Sequence, residues 1–558
     1  MKVGSFILAK TLRPLKSIWT IKRSRYPTNK DKGNPMTSRK GTLKKIGVAS
    51  FIMMASVFAS RIIGLFREMT IAYSGGAGGG VDAYQVAFII PEILNHIVAS
   101  GFLSVTFIPL FSAYLTRKDE KGGWKILSIV LNTFGVLLSL FLVMAFCFAP
   151  QLVSVLAPGL TDPALFAKAV RMTRIIMPAQ LCFFSGGLFM AVQFAREKFM
   201  IPALAPLIYN LGIILGGLLL GPSLGMEGFA WGVLLGAFVG NFLLQYIGAK
   251  KCGMQLSALI SFTHPDFIKY VLLTLPLMVG LTMTFSTEIL LKYFGSFLEE
   301  GSIAALNYAL RVMFILVGLF GQAVGVASYP FMAKLAAKGK MDELNQILNT
   351  TLKFLILVIP VSVLFMVLGR EIVFLLFQRG QFDATATQLT SQVLPFLMAG
   401  TVAFAAQTVV VRGYYAIQNT WFPALVGSSS VMMSLPVFYG LMHFMGARGI
   451  ALALTLGATF QTGLLFALWN RKSHNHEGHT VYLFFIKIAL LSIGIGWLLF
   501  NLSRPLGHFF NAATIPGALA MCIVTTTVFI GLFVSTGVLF KIEEIQLFTK
   551  KIMARLKY

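Results

Sequence analysis

Phe58-Ala-Ser-Arg61-Ile-Ile-Gly64-Leu-Phe-Arg67-Glu68 lies inside an apolar run that begins near Ile46 and ends near Tyr73. A run of that length crosses a bilayer as a helix, yet it carries three charges. At about 1.5 Å per residue, Arg61 falls roughly 22 Å from the start of the run, near the membrane midplane. A charge there costs at least ~2.5–3.5 kcal/mol on the lenient insertion scale, so it must face protein or water rather than acyl chains. Arg61 and Glu68 are seven apart and share a helix face, with Gly64 between them to admit a close-approaching backbone or ligand. Arg67 points about a third of a turn away. Two readings are open: a cationic, water-accessible cavity for an anionic ligand, or a buried Arg–Glu pair that locks two helices together.

Apolar runs of similar length recur along the rest of the chain. Of 558 residues, 57% are hydrophobic and 12% charged, about half the charged share of a soluble domain, and mean hydropathy is +0.80. Fourteen apolar runs are expected to be spans, at 46–73, 82–115, 124–157, 165–195, 202–220, 227–248, 267–297, 302–335, 347–377, 386–416, 421–443, 447–469, 480–502 and 514–540. The class is an all-α polytopic membrane protein.

The net charge of +26 does not argue for nucleic acid, because Lys and Arg gather in alternate links. One set holds Arg117, Lys118, Lys121, Lys125; Arg196, Lys198; Lys250, Lys251; Lys334, Lys338, Lys340; and Arg471, Lys472. The links at 74–81, 221–227 and 299–302 are nearly free of them. The positive-inside rule makes the first set cytoplasmic and puts both termini inside. Residues 1–43 read as a basic disordered tail, with Met36 as an alternative start, and 541–558 as a basic cytoplasmic tail suited to an anionic membrane surface.

Other motifs narrow the chemistry by what they lack. Cys147, Cys182, Cys252 and Cys522 have no metal-ligand spacing. No phosphate-binding loop of the Gly-x-x-x-x-Gly-Lys-Ser/Thr type exists, so ATP hydrolysis by this chain is excluded. The run Gly75 to Gly80 has no following Lys and reads as a flexible outer hinge, and His474-Asn-His-Glu-Gly-His reads as a solvated loop. No metal, cofactor or catalytic group is expected, and the chain reads as a transporter rather than an enzyme.

The chain repeats itself at an offset of about 221 residues. Phe107-Ile-Pro-Leu-Phe aligns with Ser328-Tyr-Pro-Phe-Met, and Ile201-Pro-Ala-Leu with Phe422-Pro-Ala-Leu. An even number of spans per repeat preserves orientation, so the repeat is parallel: two six-helix lobes, 44–252 and 264–472, followed by two further helices at 479–540. Two lobes that rock about a shared site suit alternating access. At the same offset Arg67 corresponds to Glu288, which lies four residues from Lys292 on one face. The pair reads either as a structural ion pair or as a gate across the lobes.

The second span carries a polar stripe of Asp82, Gln85, Glu92, Asn95, His96, Ser100 and Ser104, with a kink expected at Pro91. The eighth carries Asn307, Arg311 and Gln322, with Arg311 again near the midplane. Lys168, Arg171 and Arg174 read mainly as a helix emerging into outer water, and Arg412 as interfacial. Intramembrane charge therefore concentrates in spans 1, 2, 7 and 8, while spans 13 and 14 hold almost none. A polar core with an apolar annex suits an amphiphile with an anionic head and a lipid tail. Arg suits the head, because its planar fork matches phosphate oxygens and stays charged in low dielectric.

Ser60-Arg-Ile-Ile-Gly-Leu-Phe-Arg-Glu, Gly80-Val-Asp-Ala-Tyr-Gln-Val-Ala-Phe-Ile-Ile-Pro, Phe107-Ile-Pro-Leu-Phe, Gly301-Ser-Ile-Ala-Ala-Leu-Asn-Tyr-Ala-Leu-Arg-Val, Phe377-Gln-Arg-Gly-Gln-Phe and Arg412-Gly-Tyr-Tyr-Ala-Ile-Gln-Asn-Thr occur in order. Together they resemble the MurJ/MviN lipid II flippase family over about 44–471. The resemblance implies the multidrug/oligosaccharidyl-lipid/polysaccharide exporter fold, with the last two helices forming a lipid-tail groove. It also implies export of an undecaprenyl-pyrophosphate-linked peptidoglycan precursor. Arg61, Arg67, Asp82 and Arg311 match charged cavity residues of the family. Where the family usually has an Arg four after the second-span Pro, this chain has Asn95, beside His96. Where it has Ala-Glu-Gly, this chain has Ala99-Ser100-Gly101, and Phe314 replaces an acid in the eighth helix.

The function expected from the sequence is thus a lipid II flippase. Arg61, Arg67, Arg311, Asp82, Asn95 and His96 contact the substrate, and Glu68, Glu288, Lys292 and Glu92 serve gating or coupling. Its partners would be the undecaprenyl-linked substrate, membrane lipids and the cell-wall synthesis machinery. The alternatives are another exporter of the same fold, for a different polyprenyl-linked glycan or for drugs, and a non-transporting membrane scaffold.

Overall fold

A computed structural model describes residues 35–95, 102–540 and 542, with side chains described at 52–95, 106–274, 287–322, 324–507, 509–540 and 542. His96, most of the basic N-terminal tail and the C-terminal tail beyond Ile542 lie outside the described residues. Contacts divide the chain at Phe51. The first helix, α1 (Pro35–Gly75), begins before that point, and the unit that starts at Ile52 holds the rest of it together with all the later helices.

Every further element among the described residues is a helix. α2 (Gly79–Ala87), α3 (Ile89–Leu94) and α4 (Phe102–Thr116) make up the second expected span. α5 (Glu120–Cys147) with α6 (Ala149–Leu156), and α7 (Pro163–Ile176) with α8 (Ala179–Ala195), make the third and fourth. α9 (Met200–Leu224) comes next, then α10 (Met226–Gly236), which continues through a π-helical stretch, Ala237–Leu243, into α11 (Leu244–Lys251). α12 (Pro265–Gly295) opens the second half. α13 (Ser302–Leu316) runs through a second π stretch, Val317–Gln322, into α14 (Ala323–Ala337). α15 (Met341–Ile356), α16 (Val358–Val367) and α17 (Gly369–Phe377) form one broken rod, before α18 (Ala384–Ala416), α19 (Trp421–Met445), α20 (Ala447–Lys472), α21 (Gly478–Phe509) and α22 (Ile515–Leu539).

Helix is what a bilayer demands, since it pairs every backbone group within the segment. The ends are set by local chemistry. Asp119 accepts from Gly122 N at 2.9 Å, Asp162 from Leu165 N at 2.9 Å and Asp383 from Ala386 N at 2.7 Å, each satisfying an orphan donor at a helix start. Pro163 and Pro265 come directly after their caps, in the first helical turn. Eleven helices among the described residues are long and apolar enough to cross a membrane. The expected spans 1, 2 and 7 fall on α1, on the interrupted α2–α4 and on α12, which hold much of the intramembrane charge.

Close packing rests on small residues where helices touch. α9 and α10 meet through Gly212, Gly216, Gly228, Gly232 and Gly236: a Cβ on Gly232 would lie 2.6 Å from Gly212 O and 2.9 Å from Ile213 Cα. In the second half α18 packs on α13, α14 and α20, and Tyr414 and Trp469 meet edge-on at 5.1 Å. α21 and α22 pack on each other and flank the α15–α17 rod.

The two halves meet along two antiparallel seams. On one, α12 runs beside α2–α4: Tyr114 donates to Asp266, Thr106 and Thr274 hydroxyls lie 3.0 Å apart, and Lys292 Nζ donates to Glu92 at 2.8 Å. On the other, α1 runs beside α13: Arg61 lies over Gly318, Glu68 faces Arg311, and Tyr308 donates to Gly76 O at 3.0 Å. An offset of about 221 residues carries α1 onto α12 and α4 onto α14, so the seams are equivalents under the internal repeat.

Candidate functional site

The charged side chains expected to form a site converge on these seams. Arg67 of α1 donates to Asn210 Oδ1 of α9 at 3.0 Å and lies 2.5 Å from Glu68 Oε1. The same Glu68 oxygen faces Arg311 Nε across the seam at 3.6 Å, and Arg311 Nη1 reaches Glu288 Oε1 of α12 at 3.4 Å. A chain of charge thus runs Arg67–Glu68–Arg311–Glu288 from one half to the other. Glu68 is buried, with 5% of its side chain exposed, whereas Arg311 and Glu288 keep 28% and 25%. The long Arg311 contacts are weak on geometric grounds, because charge-assisted N–H···O bonds normally sit at about 2.7–2.9 Å.

Arg61 behaves differently. It is exposed, although it sits far inside the expected first span. A Cβ on Gly318 would collide with its Nη1, so the absence of a side chain there is what seats the guanidinium on α13 and its π extension. Among the described residues it makes no hydrogen bond or ion pair.

Glu288 and Lys292 do not pair with each other. Glu288 faces Arg311 within its own half, while Lys292, with 2% of its side chain exposed, reaches Glu92 of the first half. Shared face alone did not fix partners, because each charge on α12 found a better-placed opposite charge on a neighbouring helix. Asn95 is half-buried at the end of α3, and His96 lies outside the described residues.

Asp82 is buried and committed elsewhere. Its Oδ2 accepts from Gly301 N at 2.6 Å and its Oδ1 from Ala304 N at 2.7 Å, so it caps α13 from the other half. The carboxylate satisfies orphan donors and complements the positive helix end. Around it the halves close tightly. Gln381 N donates to Tyr73 O at 2.9 Å, Gly159 N donates to Ser296 Oγ at 3.1 Å, and a Cβ on Gly76 would lie 2.5 Å from Gln381 O. The run Gly75 to Gly80 is therefore a packed seal rather than a free hinge: Gly76 meets the Gln381 backbone, and Gly75 and Gly79 leave room for the side chains of Met226, Leu165 and Glu300. Arg171 pairs with Glu227 at 2.8 Å and Arg174 Nε donates to Phe146 O at 3.1 Å, which gives two of the three cations of that basic stripe structural partners, while Lys168 is exposed.

The sequence missed Asn210, Gly318 and Tyr308. A lone Asn in the otherwise apolar stretch 202–220 was a legible signal; the other two had none. A groove of about 650 Å³, lined by Leu131, Phe184, Phe242 and Tyr246, is apolar and lies apart from the charge cluster. It belongs to the packing of α5, α8 and the linker after α11.

A helical membrane bundle whose buried charge gathers on the seam between two repeated halves is a transporter of the two-lobed exporter class. Its fold is similar to a solved "Lipid II flippase MurJ, inward closed conformation", at TM-score 0.69 and 23% identity, covering 88% of this chain and 100% of that one. It is also similar to an inward-facing multidrug resistance MATE family transporter of the MOP superfamily, at TM-score 0.62 and 13% identity over 76% and 95% of the two chains. The family model "Lipid II flippase MurJ" matches residues 71–517, and the chain belongs to that family. Relatives include the probable lipid II flippase MurJ of Rhizobium meliloti, 26% identical over 83% of this chain and 90% of that protein. The lipid II flippase MurJ of Burkholderia cenocepacia is 26% identical, over 73% and 80%.

Proposed function

We propose that this chain flips lipid II, an undecaprenyl-pyrophosphate-linked peptidoglycan precursor, from the inner to the outer leaflet of a bacterial inner membrane by alternating access. The observation that carries the reading is Arg61: a mid-span guanidinium, exposed and without an anionic partner among the described residues, reaching across the seam beside the Arg67–Glu68–Arg311–Glu288 chain. The names of the relatives point to the same substrate.

In this reading the pyrophosphate enters between the halves and is met by Arg61, Arg67 and Arg311, with Asn95 and, from the sequence pattern alone, His96 as further contacts. Its oxygens replace the long Glu68 and Glu288 contacts of Arg311, which the weak geometry makes easy to exchange. Freed carboxylates then raise the cost of keeping the halves together. Asp82 on the α13 start and Glu92 on Lys292 act as latches that must release for the sealed end to part. That end is the outer one, so both termini are cytoplasmic. Residues 44–252 and 264–472 form the rocking lobes, and 479–540 supply a groove for the polyprenyl tail. The membrane potential, worth ~2.3 kcal/mol per charge per 100 mV, supplies enough bias to reset such a switch. The cell-wall synthesis machinery supplies and consumes the cargo.

A drug antiporter of the same fold is the rival, and for a cationic drug the unpartnered Arg61 disfavours it. In a strain depleted of its own flippase, Arg67→Ala or Arg311→Ala should abolish growth and cause lipid II to accumulate. Normal growth with both, or accumulation of a different lipid-linked intermediate, overturns the reading.

A further inference from the structure

We infer that Arg412 is a phosphate-binding residue at the basic end of the transport path, taking the substrate head before Arg61 does. The inference rests on the proposed function and extends it to a residue outside the charge cluster.

Arg412 sits on α18, four residues, or about 6 Å, from the helix end. Its side chain crosses to α14, where a Cβ on Gly325 would collide with its Nη1. That nitrogen is buried and has no hydrogen-bond partner, and the guanidinium makes no ion pair among the described residues. The group is only partly covered. Its electrostatic neighbours are Tyr329 and Tyr415, themselves 37% and 38% exposed, and no carboxylate. A guanidinium parked near hydrocarbon without an anion is costly, and an orphaned buried donor adds to the cost. The other seam cations avoid this: Arg67, Arg311 and Lys292 each face a carboxylate. Arg61 and Arg412 do not.

The two unpartnered arginines share a seat. Arg61 rests on Gly318 and Arg412 on Gly325, glycines seven residues apart on one continuous helix. Arg311 lies seven residues before Gly318 on the same helix. Three guanidinium groups therefore occur at intervals of roughly 10 Å along α13–α14, from the basic end inward. That spacing suits a hand-over from Arg412 inward to Arg61 and Arg311. The chemistry recognised is a phosphate or pyrophosphate group, whether on a lipid or free.

The test uses the full-length chain in nanodiscs, with undecaprenyl pyrophosphate and inorganic pyrophosphate as separate probes. For the wild type, binding of undecaprenyl pyrophosphate is expected, weakening as salt rises. R412Q should bind it about tenfold more weakly, the loss expected for one charge-assisted hydrogen bond, with a shallower salt dependence. R412K, which keeps the charge, should recover most of the affinity. A purely structural Arg412 would leave the salt dependence unchanged. If inorganic pyrophosphate competes in the wild type and loses that competition in R412Q, the headgroup alone is recognised; if it never competes, the lipid-linked form is. R412Q with wild-type affinity and salt dependence overturns the inference and leaves the flippase reading standing. A wild type that binds no polyprenyl pyrophosphate overturns both.

Discussion

Glu92 and Lys292 illustrate what a single carboxylate does in this molecule. Lys292 has 2% of its side chain exposed and Glu92 Oε2 lies 2.8 Å from its ammonium. Removing the acid leaves a buried cation without compensation, which costs about 3–5 kcal/mol, whereas replacing both partners with apolar groups of similar size is often neutral. Glu92→Gln should therefore lower the thermal unfolding midpoint in detergent by several degrees, and Glu92→Leu combined with Lys292→Leu should recover most of it. Equal losses in the single and double variants would show that packing, not charge, holds this position. Glu68 plays a different part: one oxygen faces both Arg67 and Arg311, and so holds two like charges near one another.

At the level of elements, the glycine contact between α9 and α10 is as demanding as any charge pair. Here two helix backbones come close enough that Cα and carbonyl atoms replace side chains as the packing surface. Gly232→Val should destabilise the protein by about 1–3 kcal/mol through overpacking. Gly221→Val on the same helix pair is the control, since a Cβ at Gly221 meets nothing within 4 Å. Similar unfolding midpoints for the two variants would remove the close approach as a stability determinant. The two π stretches, Ala237–Leu243 and Val317–Gln322, fall where α10 and α13 carry their closest neighbours. There Gly186 faces Asn241 backbone, and Gly318 and Gly321 receive Arg61 and α18.

Over the whole molecule, the paired seams are what a rocking mechanism must break. α12 is tied to α4 through Thr106 and Thr274, whose hydroxyls lie 3.0 Å apart. That separation lets cysteines at the two positions close a disulfide with small adjustment. With Cys147, Cys182, Cys252 and Cys522 first replaced, Thr106→Cys combined with Thr274→Cys should cross-link under oxidation and halt growth, and reduction should restore it. Full cross-linking with unimpaired growth would mean that this seam stays shut throughout transport.

The order of residues was enough to set the class and much of the plan. Hydropathy marked the helices, because a bilayer leaves a backbone few other choices. The rarity of charge inside those runs singled out Arg61, Arg67, Glu68, Glu92, Glu288, Lys292 and Arg311, because burying a charge is too expensive to be incidental. The offset of about 221 residues pointed to paired halves. Who faces whom emerged only once the helices were packed together. Helical spacing put Glu288 and Lys292 on one face, but the fold gave each a partner on another helix. It turned Asp82 into a cap for α13 and the glycine run into a seal. It also revealed Gly318 and Gly325 as seats for arginines from distant helices. Those facts depend on how helices far apart in sequence approach one another, and no local pattern of residues encodes that distance.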